Sequence, residues 1–270
     1  MRINNNITAI NSHRQYGINN VAIGKNVEKL SSGFRVNRAA DDAAGLAISE
    51  KMRTQIRGLN MASKNSQDAI SLVQTAEGAL QSTHNIMQRM RELAVQSASG
   101  TNDTDVDRAA LDLEFQQLSS EIKQIAETVK FNDMTVFNVG QGSDGTTFTI
   151  QSGANSRDIT TFSIGGLGVT ALRVDAQTSA SIAISTLTRD INSLSMDRAK
   201  LGAIQNRLEF KIQNLDNSAE NLQAAESRIR DVDMAKMMTE FTKNNILFQA
   251  STAMLAQANA VPQSVLQLLG

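Results

Sequence analysis

Cysteine is absent from all 270 residues, which removes disulfides, thiolate metal sites and cysteine nucleophiles together. The compartment stays open, because secreted proteins can also do without it. Tryptophan is absent, Tyr16 is the single tyrosine, and aromatics make up 4% of the chain. A compact core draws much of its buried area from large rings, so seams of Leu, Ile, Val, Met and Ala must carry the packing here. Proline occurs once, at Pro262, and nothing before it interrupts a helix for want of an amide hydrogen. An excess of one charge is also missing, since 26 basic residues stand against 27 acidic ones, net −1. No basic block stands out to neutralise phosphates, so no nucleic-acid partner is expected. The opening Met1-Arg2-Ile3-Asn4-Asn5-Asn6-Ile7 holds no continuous apolar segment, and no later run is long enough to span a bilayer. Membrane insertion is not expected, and by themselves these residues point to the cytosol.

What is there is heptad order. Ala180, Ile184, Leu187, Ile191, Leu194, Leu201, Leu208, Ile212, Leu215, Ala219, Leu222 and Ile229 follow alternating steps of four and three, broken at Arg198, Gln205 and Glu226. A pattern held that long predicts one extended helix with a coiled-coil seam. In the N-terminal half, Ala62, Ala69, Leu72, Ala76, Ala79, Ile86, Met90 and Leu93 share one stripe, while Met52, Ile56, Leu59, Ile70, Val73, Leu80 and Met87 share another. Two apolar faces require neighbours on two sides. A third helix carries Leu111, Phe115, Leu118, Ile122, Ile125 and Val129, with Thr104 and Asp107 spaced as a capping box.

The expected fold class is mainly α: a long antiparallel coiled-coil or helical bundle over 44–98, 104–129 and 178–228, with a small central β-hairpin. The hairpin falls between 138 and 176, where Gly-rich turn chemistry precedes the alternations Thr147–Ile150 and Ile159–Ile164.

The two ends differ from the middle. Ile3, Ile7, Ile10, Ile18, Val21, Ile23, Val27 and Leu30 predict an N-terminal helix that stops at Ser31-Ser32-Gly33. The arm from about 230 carries Met237, Phe241, Leu247, Phe248, Met254, Leu255, Val265, Leu266, Leu268 and Leu269. A solitary helix hides only part of such a surface, and ordering its backbone costs about 1–2 kcal/mol per residue. Both arms are therefore expected to stay unformed in a lone subunit and to fold where copies pack them from all sides.

Catalytic signals are weak. Asp41-Asp42 reads as a helix N-cap before Ala43, not as an acid–base pair. His13 and His84 have no His-Glu-x-x-His companion, and Gly140, Gly142 and Gly145 lack the Lys-Ser/Thr of a phosphate loop. No catalytic, cofactor or metal site is expected, and the chain is not read as an enzyme. Lys51, Arg53 and Arg57 read as a solvated face or as a contact for acidic residues such as Asp105 and Asp107.

One long stretch is more specific. Leu30-Ser31-Ser32-Gly33-Phe34-Arg35-Val36-Asn37-Arg38-Ala39-Ala40-Asp41-Asp42-Ala43-Ala44-Gly45-Leu46-Ala47-Ile48-Ser49 resembles the signature of the bacterial flagellins, with Phe34 and Val36 as conservative variants. The resemblance continues through Thr75–Leu80 and Arg91–Gln96 and returns in Leu201–Leu208, Ala225–Asp231, Leu255–Asn259 and Val265–Leu269. It covers about 1–138 and 177–270 in the right order.

The resemblance implies a filament subunit, exported unfolded by a flagellar type III apparatus into the extracellular flagellum and built without the large variable outer domains. Residues 1–43 with 229–270 would form an inner terminal coiled coil, and 44–228 the bundle around it. Filament contacts would come from Ile3, Ile7, Ile10, Val27, Leu30, Phe241, Leu247, Phe248, Leu255, Val265, Leu266, Leu268 and Leu269. Implied partners are further copies in a helical filament, a flagellar export chaperone, cap and junction proteins, and Toll-like receptor 5. Matching the receptor motif are Gln88, Arg89, Arg91, Glu92, Leu93, Gln96 and Glu114. The alternatives are a hook–filament junction component or another exported coiled-coil structural protein, and a cytosolic helical binding module.

Overall fold

The computed structural model describes residues 6–103, 106–137, 145–167 and 172–269, with 262–269 described by backbone alone. Among them are five helices, α1 (Ile7–Ser32), α2 (Ala43–Ser97), α3 (Asp107–Thr128), α4 (Gln177–Arg230) and α5 (Met234–Leu269). Four short strands accompany them: β1 (Lys130–Phe131), β2 (Met134–Thr135), β3 (Thr146–Gln151) and β4 (Ile159–Ile164). Two compact units form, one of Met1–Thr54 with Glu220–Gly270 and one of Gln55–Ala219, with boundaries inside α2 and α4.

The Gln55–Ala219 unit is an antiparallel bundle. Arg91 Nε donates to Thr188 Oγ1 at 3.2 Å and Arg198 pairs with Glu77 at 3.6 Å, which sets α2 against α4 in opposite directions. Arg108 at the start of α3 is buried and donates from Nε to the Ser97 carbonyl and from Nη2 to the Ser99 carbonyl, each at 3.1 Å. Its guanidinium thereby supplies donors to carbonyls left over where α2 ends. The heptad residues Leu187, Leu194, Leu201, Leu208 and Leu215 of α4 are all buried, as are Leu72, Val73, Ala76, Leu80, Met87, Met90, Leu93 and Ala94 of α2. Small residues Ala62, Ser66, Ala69 and Ala76 line the same face of α2, and Ser66 and Thr83 return their hydroxyls to the carbonyls of Ala62 and Ala79. Buried hydroxyls are thus satisfied without a partner from another helix.

Expected and observed helix bounds agree within a residue or two, except at α3. That helix starts at Asp107 with Val106 at its N-cap and no side-chain cap bond. Thr104, assigned to the capping box, lies outside the described residues, whereas the Asp107 carboxylate accepts from the Asp103 amide at 3.1 Å.

β3 and β4 form the expected hairpin, antiparallel from Thr146↔Ile164 to Gln151↔Ile159. Thr160, Phe162 and Ile164 alternate inward along β4, and Phe162 stacks on Phe148 with centroids 5.8 Å apart. β1 and β2 were not anticipated. They pair through Phe131↔Met134 about a turn in which Asn132 and Asp133 have φ of 49° and 61°. Two consecutive left-handed residues give the twist that a two-residue hairpin needs, and Asn and Asp tolerate that region best after Gly.

In the terminal unit, α1 stops at Gly33, whose φ of 75° is left-handed and whose N–H returns to the Lys29 carbonyl at 2.9 Å. The chain then runs extended beside the end of α4: Arg35 N–H donates to the Arg230 carbonyl at 2.7 Å, and Val232 N–H to the Gly33 carbonyl at 3.0 Å. Asp42 caps α2 as expected, its Oδ1 accepting from Gly45 N–H at 2.8 Å. A methyl group at Gly45 would collide with that carboxylate.

Candidate functional site

Each terminal arm has a covered face and a bare one. α1 and α5 run antiparallel. Tyr16 stacks on Phe248 at 4.8 Å, Asn19 Nδ2 donates to Ser251 Oγ at 2.9 Å, and Asn6 Nδ2 reaches the Ala258 carbonyl at 2.7 Å. On α1 the covered positions recur at Tyr16, Asn19, Ile23, Asn26 and Leu30, and on α5 at Met237, Phe241, Phe248, Ser251 and Leu255. All are half-buried except Asn26, which is buried. The seam therefore mixes amides and hydroxyls with rings. The largest aliphatic side chains of α1 lie elsewhere: Ile7, Ile10, Ile18 and Val21 are 59%, 63%, 55% and 62% exposed. At about 100° per residue these four share one stripe roughly opposite the seam. Ile246, Leu247, Met254 and Val261 of α5 are exposed as well.

The anticipated assembly residues divide accordingly. Ile7, Ile10, Val27 and Leu247 are open, whereas Leu30, Phe241, Phe248 and Leu255 are half-buried. Ile3 and the side chains of Val265, Leu266, Leu268 and Leu269 lie outside the described residues. Both arms are helical, and their antiparallel pairing gives each one covered face and leaves the second bare.

The second surface is on α2 and α3. Gln88, Arg89, Arg91, Glu92 and Gln96 on α2 are exposed, as is Glu114 on α3. Arg89 bridges the helices, Nε and Nη2 both donating to Glu114 Oε1 at 3.0 and 2.9 Å, and Nη1 pairs with Glu92 at 3.3 Å. The hydrogen bond from Glu114, and then that from Glu92, raises the Arg89 pKa above its ordinary value. Arg91 turns to α4 through Thr188. Leu93, which the sequence places both in the receptor motif and in the apolar stripe with Met90, is 1% exposed. It follows Met90 by three positions and shares that residue's inward face, so it packs the bundle core.

The basic trio places Arg53 beside Glu50 of its own helix at 3.6 Å, and Asp105 lies outside the described residues. His84 Nε2 meets Gln88 Nε2 at 2.9 Å. Among the described residues, no group of three or more His, Cys, Asp or Glu is gathered to hold a metal ion, and no helix is long and apolar enough to cross a membrane.

The model of the bacterial flagellin N-terminal helical region matches residues 3–141, and that of the C-terminal helical region matches 184–269. The chain belongs to the bacterial flagellin family. It is 55% identical to a flagellin of Halalkalibacterium halodurans and 51% identical to one of Bacillus subtilis, each alignment covering 100% of both chains. A flagellar filament 33 kDa core protein of Treponema phagedenis is 48% identical, again over 100% of both chains. Among solved structures, a crystal structure of Bacillus cereus flagellin is similar with a TM-score of 0.50 and 33% identity, over 60% of this chain and 94% of that one.

Sequence reasoning did not find the residues that clasp this flagellin's chain where both arms begin. Arg230 Nη1 pairs with Glu50 at 2.6 Å while its guanidinium lies 4.9 Å over the Phe34 ring, and Arg35 Nη2 donates to the Ile229 carbonyl at 2.6 Å. Glu28 accepts from Arg38 Nε at 2.9 Å and from Asn37 Nδ2 at 3.1 Å. Phe34, Arg35, Arg38 and Arg230 all fall inside the signature stretches, but a signature does not say which of its residues touch.

Proposed function

We propose that this flagellin is the structural subunit of a bacterial flagellar filament, assembling with copies of itself for motility and catalysing nothing. The observation that carries this is the bare aliphatic stripe Ile7, Ile10, Ile18 and Val21 opposite the α1–α5 seam. Buried apolar area stabilises by about 25 cal/mol per Å², and one chain cannot bury both faces of its own helix pair. A surface that mates with a different surface on the next copy propagates without closing, which yields a helical filament. In this reading residues 1–43 with 229–270 make the inner terminal coiled coil, and 44–228 the layer around it. Ile3, Val265, Leu266, Leu268 and Leu269 extend the same apolar arms.

Purified subunit, seeded and concentrated, should give long filaments by negative-stain microscopy. Ile10→Asp and Ile18→Asp together should abolish them while the helix content of the free subunit is kept. Short rings from the unaltered chain would favour the junction-protein reading instead.

Export unfolded through a flagellar type III apparatus, with an export chaperone and cap and junction proteins as partners and an extracellular destination, accompanies this reading. Family membership supports it, and a chain without disulfides meets no covalent obstacle to passing unfolded. A strain lacking the export gate should retain the subunit in the cell; release at the normal level would refute the route.

The exposed Gln88, Arg89, Arg91, Glu92, Gln96 and Glu114 support a second role as the surface read by Toll-like receptor 5. Arg89 stands at its centre, held between two carboxylates. In a reporter-cell assay Arg89→Ala should lower potency without dissolving filaments, and unchanged potency would remove Arg89 from the surface.

A further inference from the structure

Within the Gln55–Ala219 unit, α4 is apolar on two opposite faces. Its buried face carries Leu187, Leu194, Leu201 and Leu208. Two positions on from Ala180, the heptad series Ile182, Arg189, Met196, Ala203 and Phe210 faces the other way, at about 200° from the seam. Ile182 and Met196 are each 62% exposed and Phe210 is 71% exposed. A large ring left bare in a chain with so few aromatics is the kind of side chain that anchors an interface.

α3 presents a complementary surface. Opposite its buried Phe115, Ile122 and Ala126, Leu113 is 67% exposed, and Val106 at the N-cap, seven residues before it, is 68% exposed. Alongside them runs an acidic row at the same spacing, exposed Asp107, Glu114 and Glu121. α4 carries basic residues at its bare face: Arg189 within the stripe, 3.7 Å from Asp190, and along one flank exposed Lys200, which pairs with Asp197 at 2.8 Å, and exposed Arg207. Glu114 is held by Arg89, as Lys200 is by Asp197, so the contrast of charge beside the two apolar rows rests on exposed Arg207 of α4 and exposed Glu121 of α3.

We infer that the bare face of α4, anchored by Phe210, docks on the Val106–Leu113 face of α3 in a second copy of this chain. The contact is heterologous, so each copy offers one face and receives on the other, and it propagates. It rests on the filament reading but involves neither terminal arm.

The absence of cysteine allows a direct test. A chain carrying Phe210→Cys and Leu113→Cys, assembled and treated with a short bismaleimide, should give a ladder of covalent multimers. Either single variant should give no ladder, and the unassembled double variant none. Filaments without a ladder in the double variant would overturn the inference, as would covalent dimers from Phe210→Cys alone, which would mean that the face mates with itself.

Should the double cysteine variant not assemble, charge reversal decides the matter. Arg207→Glu should cut filament yield at least tenfold, and adding Glu121→Arg to the same chain should restore it. No loss from Arg207→Glu, or no rescue by Glu121→Arg, sinks the pairing. Unaltered chain that assembles throughout keeps the filament reading separate from this one, whereas failure of the unaltered chain would count against the filament itself and this contact with it.

Discussion

Arg89 and Leu93 stand one helical turn apart on α2, yet their side chains do opposite work. Arg89 lies in solvent between Glu114 and Glu92, whereas Leu93 is 1% exposed within the bundle. Truncating a fully buried Leu leaves a cavity that costs about 2–5 kcal/mol, so Leu93→Ala should lower the thermal midpoint of the subunit by several degrees. Arg89→Ala should leave that midpoint unchanged, as calorimetry on the two variants would show. Asp41 offers a pH handle. Its carboxylate accepts from the amides of Arg38 and Asn37, bonds that lower its pKa below the ordinary value in that order of importance. A depressed carboxylate contributes order above its unfolded pKa of about 3.9 and loses it as pH falls through the lower folded value. Protection of the Asn37 and Arg38 amides, taken relative to their intrinsic exchange rates, should therefore fall only below about pH 4, and Asp41→Asn should lower it already at neutral pH; equal protection in both proteins at about pH 7 would contradict this. These local roles were only partly legible beforehand. Asp42 was readable as a cap because an acid ahead of an Ala-rich helical run has few other uses. Leu93 belongs both to the receptor motif, which names residue types without their burial, and to the stripe it shares with Met90, and its burial follows the stripe.

Element by element, legibility followed the length of the period. The α4 seam from Leu187 to Leu215 was readable because a step of seven over so many turns fits only an extended helix with one packed face. β1 and β2 escaped because two-residue strands have no alternation, and their only signal is the Asn132-Asp133 pair without the customary glycine. The end of α1 was readable at Gly33, which takes up a conformation costing other residues about 1–2 kcal/mol. Gly33→Ala should consequently unwind the last turn of α1 and weaken the hydrogen bonds from Val232 to Gly33 and from Arg35 to Arg230. Amide exchange at those two donors, compared between variant and parent, measures it. Protection equal in both would mean that the cap is not what holds the crossing.

The molecule as a whole spends its apolar residues unevenly, and that distribution sets where it should be stable. The Gln55–Ala219 unit buries a continuous core from Leu72 to Leu201, whereas the seam of α1 and α5 is broken by Asn19, Asn26 and Ser251 and backed by exposed Ile7, Ile10, Ile18 and Val21. Asn26 is buried with its Nδ2 lacking a hydrogen-bond partner among the described residues, a group that destabilises the seam it occupies. Local opening free energies follow buried apolar contact, so amides of α1 and α5 should exchange within seconds to minutes in the free subunit while those of α2 between Leu72 and Leu93 persist for hours. Assembly should close that gap by slowing the arms at least a hundredfold, because neighbouring copies then cover the stripes that one chain leaves bare. Removing residues 1–33 and 232–270 should leave the slow core unchanged and stop polymerisation altogether. Arms that are already slow in the free subunit, or filaments that grow without them, would show that the bundle faces alone drive association and that Ile10 and Ile18 are exposed for another reason.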